Sequence, residues 1–209
     1  MGEAELQEGR CPGLDWAACA RAYPGQRRSG DAFLVEGTAT GSFVAVVDGL
    51  GHGDEAADVA DAAMAALRET VERPPLEALT ACHGALRGSL GAVMALAAID
   101  AEHRVLSWLA VGNVEAAVVR RDGRSALTKR WLVPMRGGVV GARLPPVHAS
   151  TVALVSGDVL VSATDGLAPT FVDGVDPRLR APDLARHLYA RYARADDDAL
   201  VLVARCGFG

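Results

Sequence analysis

Apolar residues change their spacing several times along this chain, and each change marks an element. Ser42 to Val47 is a continuous apolar run that ends in Asp48-Gly49, the pattern of a buried strand carrying a carboxylate to its tip. Residues 14–20 and 31–37 are shorter β-like runs, separated by the turn-forming pairs Pro24-Gly25 and Ser29-Gly30, and read as the first two strands. From Asp54 to about Arg73 the spacing becomes helical. Ala56, Val59, Ala60, Ala63, Met64, Leu67 and Val71 form one stripe that stops before Pro74-Pro75. A second helix, 75–88, puts Leu76, Leu79, Cys82, His83 and Leu86 on one side, where His83 reads as a packed side chain.

Four strands follow at 91–99, 104–111, 114–121 and 126–133, with polar turns such as 100–103 and 121–124 between them. Such short links predict antiparallel neighbours. Residues 134–147 are rich in Gly and Pro and read as a loop, and 151–155 with 158–164 as a hairpin around Ser156-Gly157-Asp158. A helix over 182–195, with Leu184, Leu188 and Tyr192 inward, precedes a last strand at 199–206. This order predicts an α+β fold of mainly antiparallel sheets with flanking helices, four layers in the order helix, sheet, sheet, helix.

Composition narrows the function more than the fold. At 209 residues, half of them hydrophobic, the chain reads as a single globular domain over 1–209 with a sizeable core. Its formal charge of -5 gives no overall field for nucleic acid, so a protein or small substrate is expected. Cys11, Cys19, Cys82 and Cys206 lie far apart without zinc spacing. No signal sequence opens the chain, no apolar run reaches membrane length, and Leu6 stands where a myristoylation motif requires Ser or Thr. A cytoplasmic protein with reduced thiols and no membrane contact is expected.

Asp31, Asp48, Asp165 and Asp197 each stand at the start or end of a predicted strand, where a rigid sheet can aim them at a common point. Converging carboxylates repel one another unless cations lie between them. Oxygen ligands suit magnesium or manganese, and a pair of such ions lowers the pKa of a shared water towards hydroxide. Hydrolysis of a phosphate ester is the reaction implied. Gly49 and Gly166 follow two of the aspartates, and the Gly49 carbonyl is a possible further ligand. Either Asp-Gly pair alone is an ordinary turn; the joint pattern carries the argument. The Gly49, Gly51, Gly53 series misses the dinucleotide-binding spacing, because position 54 is Asp.

Ser-Gly-Asp-Ala-Phe (29–33), Val-Val-Asp-Gly-Leu-Gly-His-Gly (46–53), Gly-Asp-Val-Leu-Val-Ser-Ala-Thr-Asp-Gly-Leu (157–167) and Asp-Asp-Ala-Leu-Val-Leu-Val (197–203) resemble the ordered signatures of the type 2C metal-dependent serine/threonine phosphatases. The resemblance spans essentially the whole chain and is closest to the bacterial branch that includes the sporulation stage II phosphatase domain. Residues 87–100 and 110–114, with no sensor domain beside them, are similar to stand-alone stressosome phosphatases of that branch. The resemblance implies two manganese or magnesium ions: Asp48 bridging both, Gly49 offering its carbonyl, Asp31 on one ion, and Asp165 and Asp197 on the other. It also places Asp198 just behind the ligands, and Arg27 or Arg28 on the phosphate.

Two positions depart from the pattern. Leu50 stands where many relatives carry a His, which leaves His52, two residues on, as either the leaving-group acid or a loop-shaping residue. Leu200 replaces a customary Thr, which is expected to loosen a supporting hydrogen bond. The implied substrates are phosphorylated STAS-domain proteins, either a stressosome scaffold or an anti-anti-sigma antagonist. The rival reading is a non-catalytic binding module of the same fold. The oligomeric state stays open.

Overall fold

The computed structural model describes residues 4–121 and 128–208, so the turn expected at 121–124 falls largely outside the described residues. In chain order the elements are β1 (Glu5–Cys11), β2 (Leu14–Arg21), β3 (Asp31–Gly37), β4 (Gly41–Gly49), α1 (Asp54–Arg68), α2 (Pro75–Ala85), β5 (Ala92–Asp100), β6 (Val105–Val111), β7 (Glu115–Arg121), β8 (Thr128–Leu132), β9 (Met135–Arg136), β10 (Ser150–Ala153), β11 (Val159–Ala163), α3 (Ala181–Tyr192) and β12 (Ala199–Cys206). A 3-10 turn at Pro169–Gly174 precedes α3. One sheet runs β1-β2-β12-β11-β7-β8 and the other β10-β6-β5-β4-β3, with the short β9 beside β6. All pairings among these strands are antiparallel except β6 with β9.

Three apolar layers hold these parts. Val44, Val46, Trp108, Val118, Leu160 and Leu202 fill the space between the sheets. Val59, Met64 and Leu67 of α1 and Leu79 and Cys82 of α2 seal the outer face of the β4 sheet, against Phe43, Val47 and Met94. Leu184 and Leu188 of α3 seal the other sheet against Ala17, Val161 and Val201. The predicted four-layer α+β sandwich is therefore the observed fold. Burying a Leu or Val side chain in such a layer contributes about 1.5–3 kcal/mol, which explains why strands as apolar as β4 occupy sheet centres.

α1 ends five residues earlier than its stripe suggested. The Thr70 hydroxyl donates to the carbonyl oxygens of Ala66 and Leu67, both at 3.1 Å, giving those carbonyls a partner outside the helical ladder. Pro74 and Pro75 then open α2, the second at a position where its missing N–H is harmless. His83 is a packed residue as expected, its Nδ1 accepting from Gly141 N at 2.9 Å.

Three expectations are corrected. The strand at 14–20 is not the first: Glu5–Cys11 forms β1, an edge strand against it with little apolar alternation of its own. Segments 151–155 and 158–164 are not a hairpin. β10 pairs with β6 in one sheet, whereas β11 lies between β7 and β12 in the other. The turn is real, with Asp158 N donating to Val155 O at 3.1 Å, but Val152 and Leu154 face Leu160 across the inter-sheet core, so the chain turns a corner between layers. Asp158 locks that corner: its buried carboxylate accepts from Arg120 Nε and Nη2, both at 2.7 Å, and from Val155 N at 2.9 Å. β6 and β7 are likewise not paired. Gly112, at φ 88°, carries the chain from one sheet to the other.

Candidate active site

The antiparallel register of β3 and β4 sets Asp31 directly opposite Asp48. These two belong to one sheet. The other acids come from the facing sheet: Asp165 follows β11, and Asp197 and Asp198 precede β12. Both groups meet at one end of the sandwich. Gly30 N donates to Asp198 Oδ2 at 2.9 Å, and Gly30 O accepts from Gly49 N at 2.9 Å, so Asp198, Gly30 and Gly49 form a continuous link across the seam.

The electrostatics record the same convergence. Asp48 is half-buried, and burial first, then the charges of Asp165, Asp197 and Asp198, push its carboxyl up to about 7. Asp31, only 8% exposed, is raised well above the carboxylate range by burial and then by Asp48, with Asp198 and Asp165 adding to it and a Thr164 hydrogen bond opposing it. Asp197 is raised by burial and by Asp165. Acids gathered this closely oppose one another's ionisation, and a cation among them would relieve that repulsion.

Close backbone approaches explain the glycines after the aspartates. A Cβ on Gly49 would lie 2.4 Å from Ala56 O of α1, and one on Gly166 would lie 1.8 Å from Asp198 O. Only glycine lets each Asp-Gly turn pack that tightly. Gly51 and Gly53, at φ 109° and 67°, shape the turn into α1, and His52 is exposed between them. Leu50 packs against the inter-sheet core.

Several side chains hold the acids and were not singled out from the sequence. The Thr164 hydroxyl donates to Asp31 Oδ2 at 2.6 Å and accepts from Leu200 N at 3.2 Å. Asn113 Nδ2 donates to Asp165 Oδ2 at 2.7 Å. Arg21 Nη2 donates to the carbonyls of Arg194 at 2.8 Å and Asp197 at 3.2 Å. Thr164 and Asn113 had one local signal each, adjacency to Asp165 and a Gly-Asn turn; Arg21 had none. Asp198 has both oxygens engaged, Oδ1 accepting from Tyr23 N at 2.6 Å and Oδ2 from Gly30 N, so it clasps the 22–30 loop.

That loop carries the two candidate arginines and separates their surroundings. Arg28 donates to Asp58 at 2.6 Å and to Asp61 at 2.7 Å on α1. Its guanidinium is committed to the helix. Arg27 is exposed and lines, with Tyr23, Ser29 and Asp31, a cleft of about 710 Å³ along β3.

The donors suit a hard divalent cation, since all are carboxylate or carbonyl oxygens. Among the described residues no three or more Asp, Glu, His or Cys side chains close into a single ligand shell. Magnesium-like ions do not require one, because they keep several waters and take one or two carboxylates each.

The model of the family described as stage II sporulation protein E (SpoIIE) matches residues 38–207. The chain belongs to that family. SpoIIE-type chains share the PP2C fold, and this one is a protein phosphatase of that metal-dependent class. It is similar to a chain from work on the bacterial stressosome as a modular system adapted to control secondary messenger signalling, at 29% identity and TM-score 0.81, covering 92% of this chain and 99% of that one. It is also similar to RsbX in complex with magnesium, at 18% identity and TM-score 0.86, covering 97% and 100%. The serine/threonine phosphatase PstP/Ppp of Mycobacterium tuberculosis matches at 16% identity and TM-score 0.71, covering 93% and 99%. No curated protein sequence matches the chain. Among the described residues no helix is long and apolar enough to cross a membrane.

Proposed function

We propose that this SpoIIE-family chain acts as a single phosphatase domain in the cytoplasm, removing phosphate from phosphoserine or phosphothreonine on STAS-domain proteins of a bacterial stress-response pathway. The carrying observation is the meeting of Asp31 and Asp48 from one sheet with Asp165 and Asp197 from the other, each raising or sharing in the charge of the rest. In this reading two manganese or magnesium ions are held by Asp31, Asp48, the Gly49 carbonyl, Asp165 and Asp197. When bound, such ions neutralise the phosphate and activate water for in-line attack.

The chain's own groups do the rest. Asp48, opposite Asp31 on the neighbouring strand, would be a ligand shared by the ions when they are bound. Asn113 and Thr164 fix the rotamers of Asp165 and Asp31. Arg27, exposed and lining the same cleft as Asp31, is the arginine assigned in this reading to the phosphate, and Asp198 holds the loop that carries it. His52 is the candidate proton donor to the departing serine or threonine oxygen, since the Leu50 position is given over to packing. The stressosome context is supported by the similarity to a stressosome chain and to RsbX.

The test offers the purified protein a phosphorylated STAS-domain scaffold and a phosphorylated antagonist side by side, first with manganese and then with chelator. Metal-dependent release of phosphate from at least one is expected. A protein that binds these partners but releases nothing, even from a small aryl phosphate, would be a binding module instead.

A further inference from the structure

Thr164 lies just beyond β11, and Leu200, its cross-strand neighbour, lies in β12; both belong to one sheet. Asp31 opens β3 in the other. The Thr164 hydroxyl therefore spans the seam: it donates to Asp31 Oδ2 at 2.6 Å and accepts from Leu200 N at 3.2 Å. Thr164 N in turn donates to Leu200 O at 3.1 Å, so the hydroxyl is fixed by a backbone pair in the sheet interior. The residue is buried, at 2% exposure, and so is Asp31. A short bond to one carboxylate oxygen leaves the other oxygen with a defined direction.

Position 200 was expected to give only a weakened support to the acids, since Leu has no hydroxyl. The geometry places a hydroxyl on the neighbouring strand instead. From these contacts we infer that Thr164 is a positioning residue for metal binding: its hydroxyl, held by the backbone of Leu200, fixes Asp31 of the opposite sheet for its ion. The inference rests on the two-ion reading of the site. It asks of Thr164 a hydroxyl and not a shape, because Val fills nearly the same volume without a donor.

The experiment titrates manganese alone into the chelator-stripped full chain by calorimetry, for wild type, Thr164→Val and Thr164→Ser, with melting temperature and far-UV spectra recorded beforehand. Loss of an outer hydrogen-bond partner weakens metal binding by about 10- to 100-fold. That loss is expected for T164V with the fold retained, and T164S is expected to recover most of the affinity. T164V binding manganese as tightly as wild type overturns the inference, as does T164S binding as weakly as T164V. If T164V does not fold, Thr164→Ala, which also lacks the donor, takes its place under the same two criteria. Failure of wild type itself to bind manganese overturns the two-ion reading, a separate outcome.

Discussion

Asp31 and Asp48 stand directly opposite each other on adjacent strands, two acids in a position where like charges repel. An antiparallel pair gains nothing from such a juxtaposition. Burial and repulsion from neighbouring acids raise both carboxyls, and a cation bound between them would relieve that repulsion.

Asp48→Asn and Asp165→Asn are expected to remove turnover by more than about 100-fold, exceeding the usual effect of losing an outer partner. Their far-UV spectra should match wild type. Steady-state assays on a phosphoprotein with manganese decide it, and full activity in either variant removes that residue from the site.

Stability in chelator should depend on pH through the same carboxylates. Asp48 moves from 3.8 to about 7 on folding, so the folded state holds its proton more tightly than the unfolded chain. The stabilisation this brings is complete below the unfolded value and is lost as pH rises through the folded one. Asp31 and Asp197 shift in the same direction. The melting temperature should therefore fall between about pH 4 and pH 7. Asp48→Asn should flatten the fall and melt a few degrees above wild type at about pH 8. Parallel curves for the two proteins would contradict the assignment.

Two glycine substitutions should have opposite signs. Gly166→Ala forces a methyl onto Asp198 O, with 1.8 Å available, and should cost stability and activity together. Gly84→Ala, inside α2 with no atom within 4 Å, should stabilise by about 0.5–1 kcal/mol and leave activity alone. Urea unfolding read beside turnover separates the cases.

Arg27→Ala should raise KM for the phosphoprotein with little change in melting temperature. Arg28→Ala should do less to KM, since its guanidinium is paired with Asp58 and Asp61 on α1. Equal KM effects from the two would show that the loop, and not Arg27 itself, meets the phosphate.

Where one physical signal dominated, the sequence alone was enough. The apolar run of β4, the stripe of α1 and the Asp-Gly tips follow from burial and spacing, and the strand ends they define singled out Asp31, Asp48, Asp165 and Asp197, which the fold brings to one end of the sandwich. Strand pairing was less legible. Ser156-Gly157-Asp158 has the turn chemistry of a hairpin, yet the partners of β10 and β11 are chosen by which core Val152, Leu154 and Leu160 fill. β1 was hidden because an edge strand needs few apolar residues. Thr164, Asn113 and Arg21 act across strands or sheets, through contacts that residue spacing does not encode.

The placement of β12 between β2 and β11 bears on how the enzyme is made. Leu14 pairs with Cys206, and Arg21 with Ala199, so the centre of one sheet stays incomplete until nearly the whole chain exists. Pairings this distant in sequence form slowly. Asp197 and Asp198 arrive with that strand, so a ribosome-bound chain short of β12 lacks two of the five acids gathered at the seam, and the candidate site is completed only when synthesis has passed them.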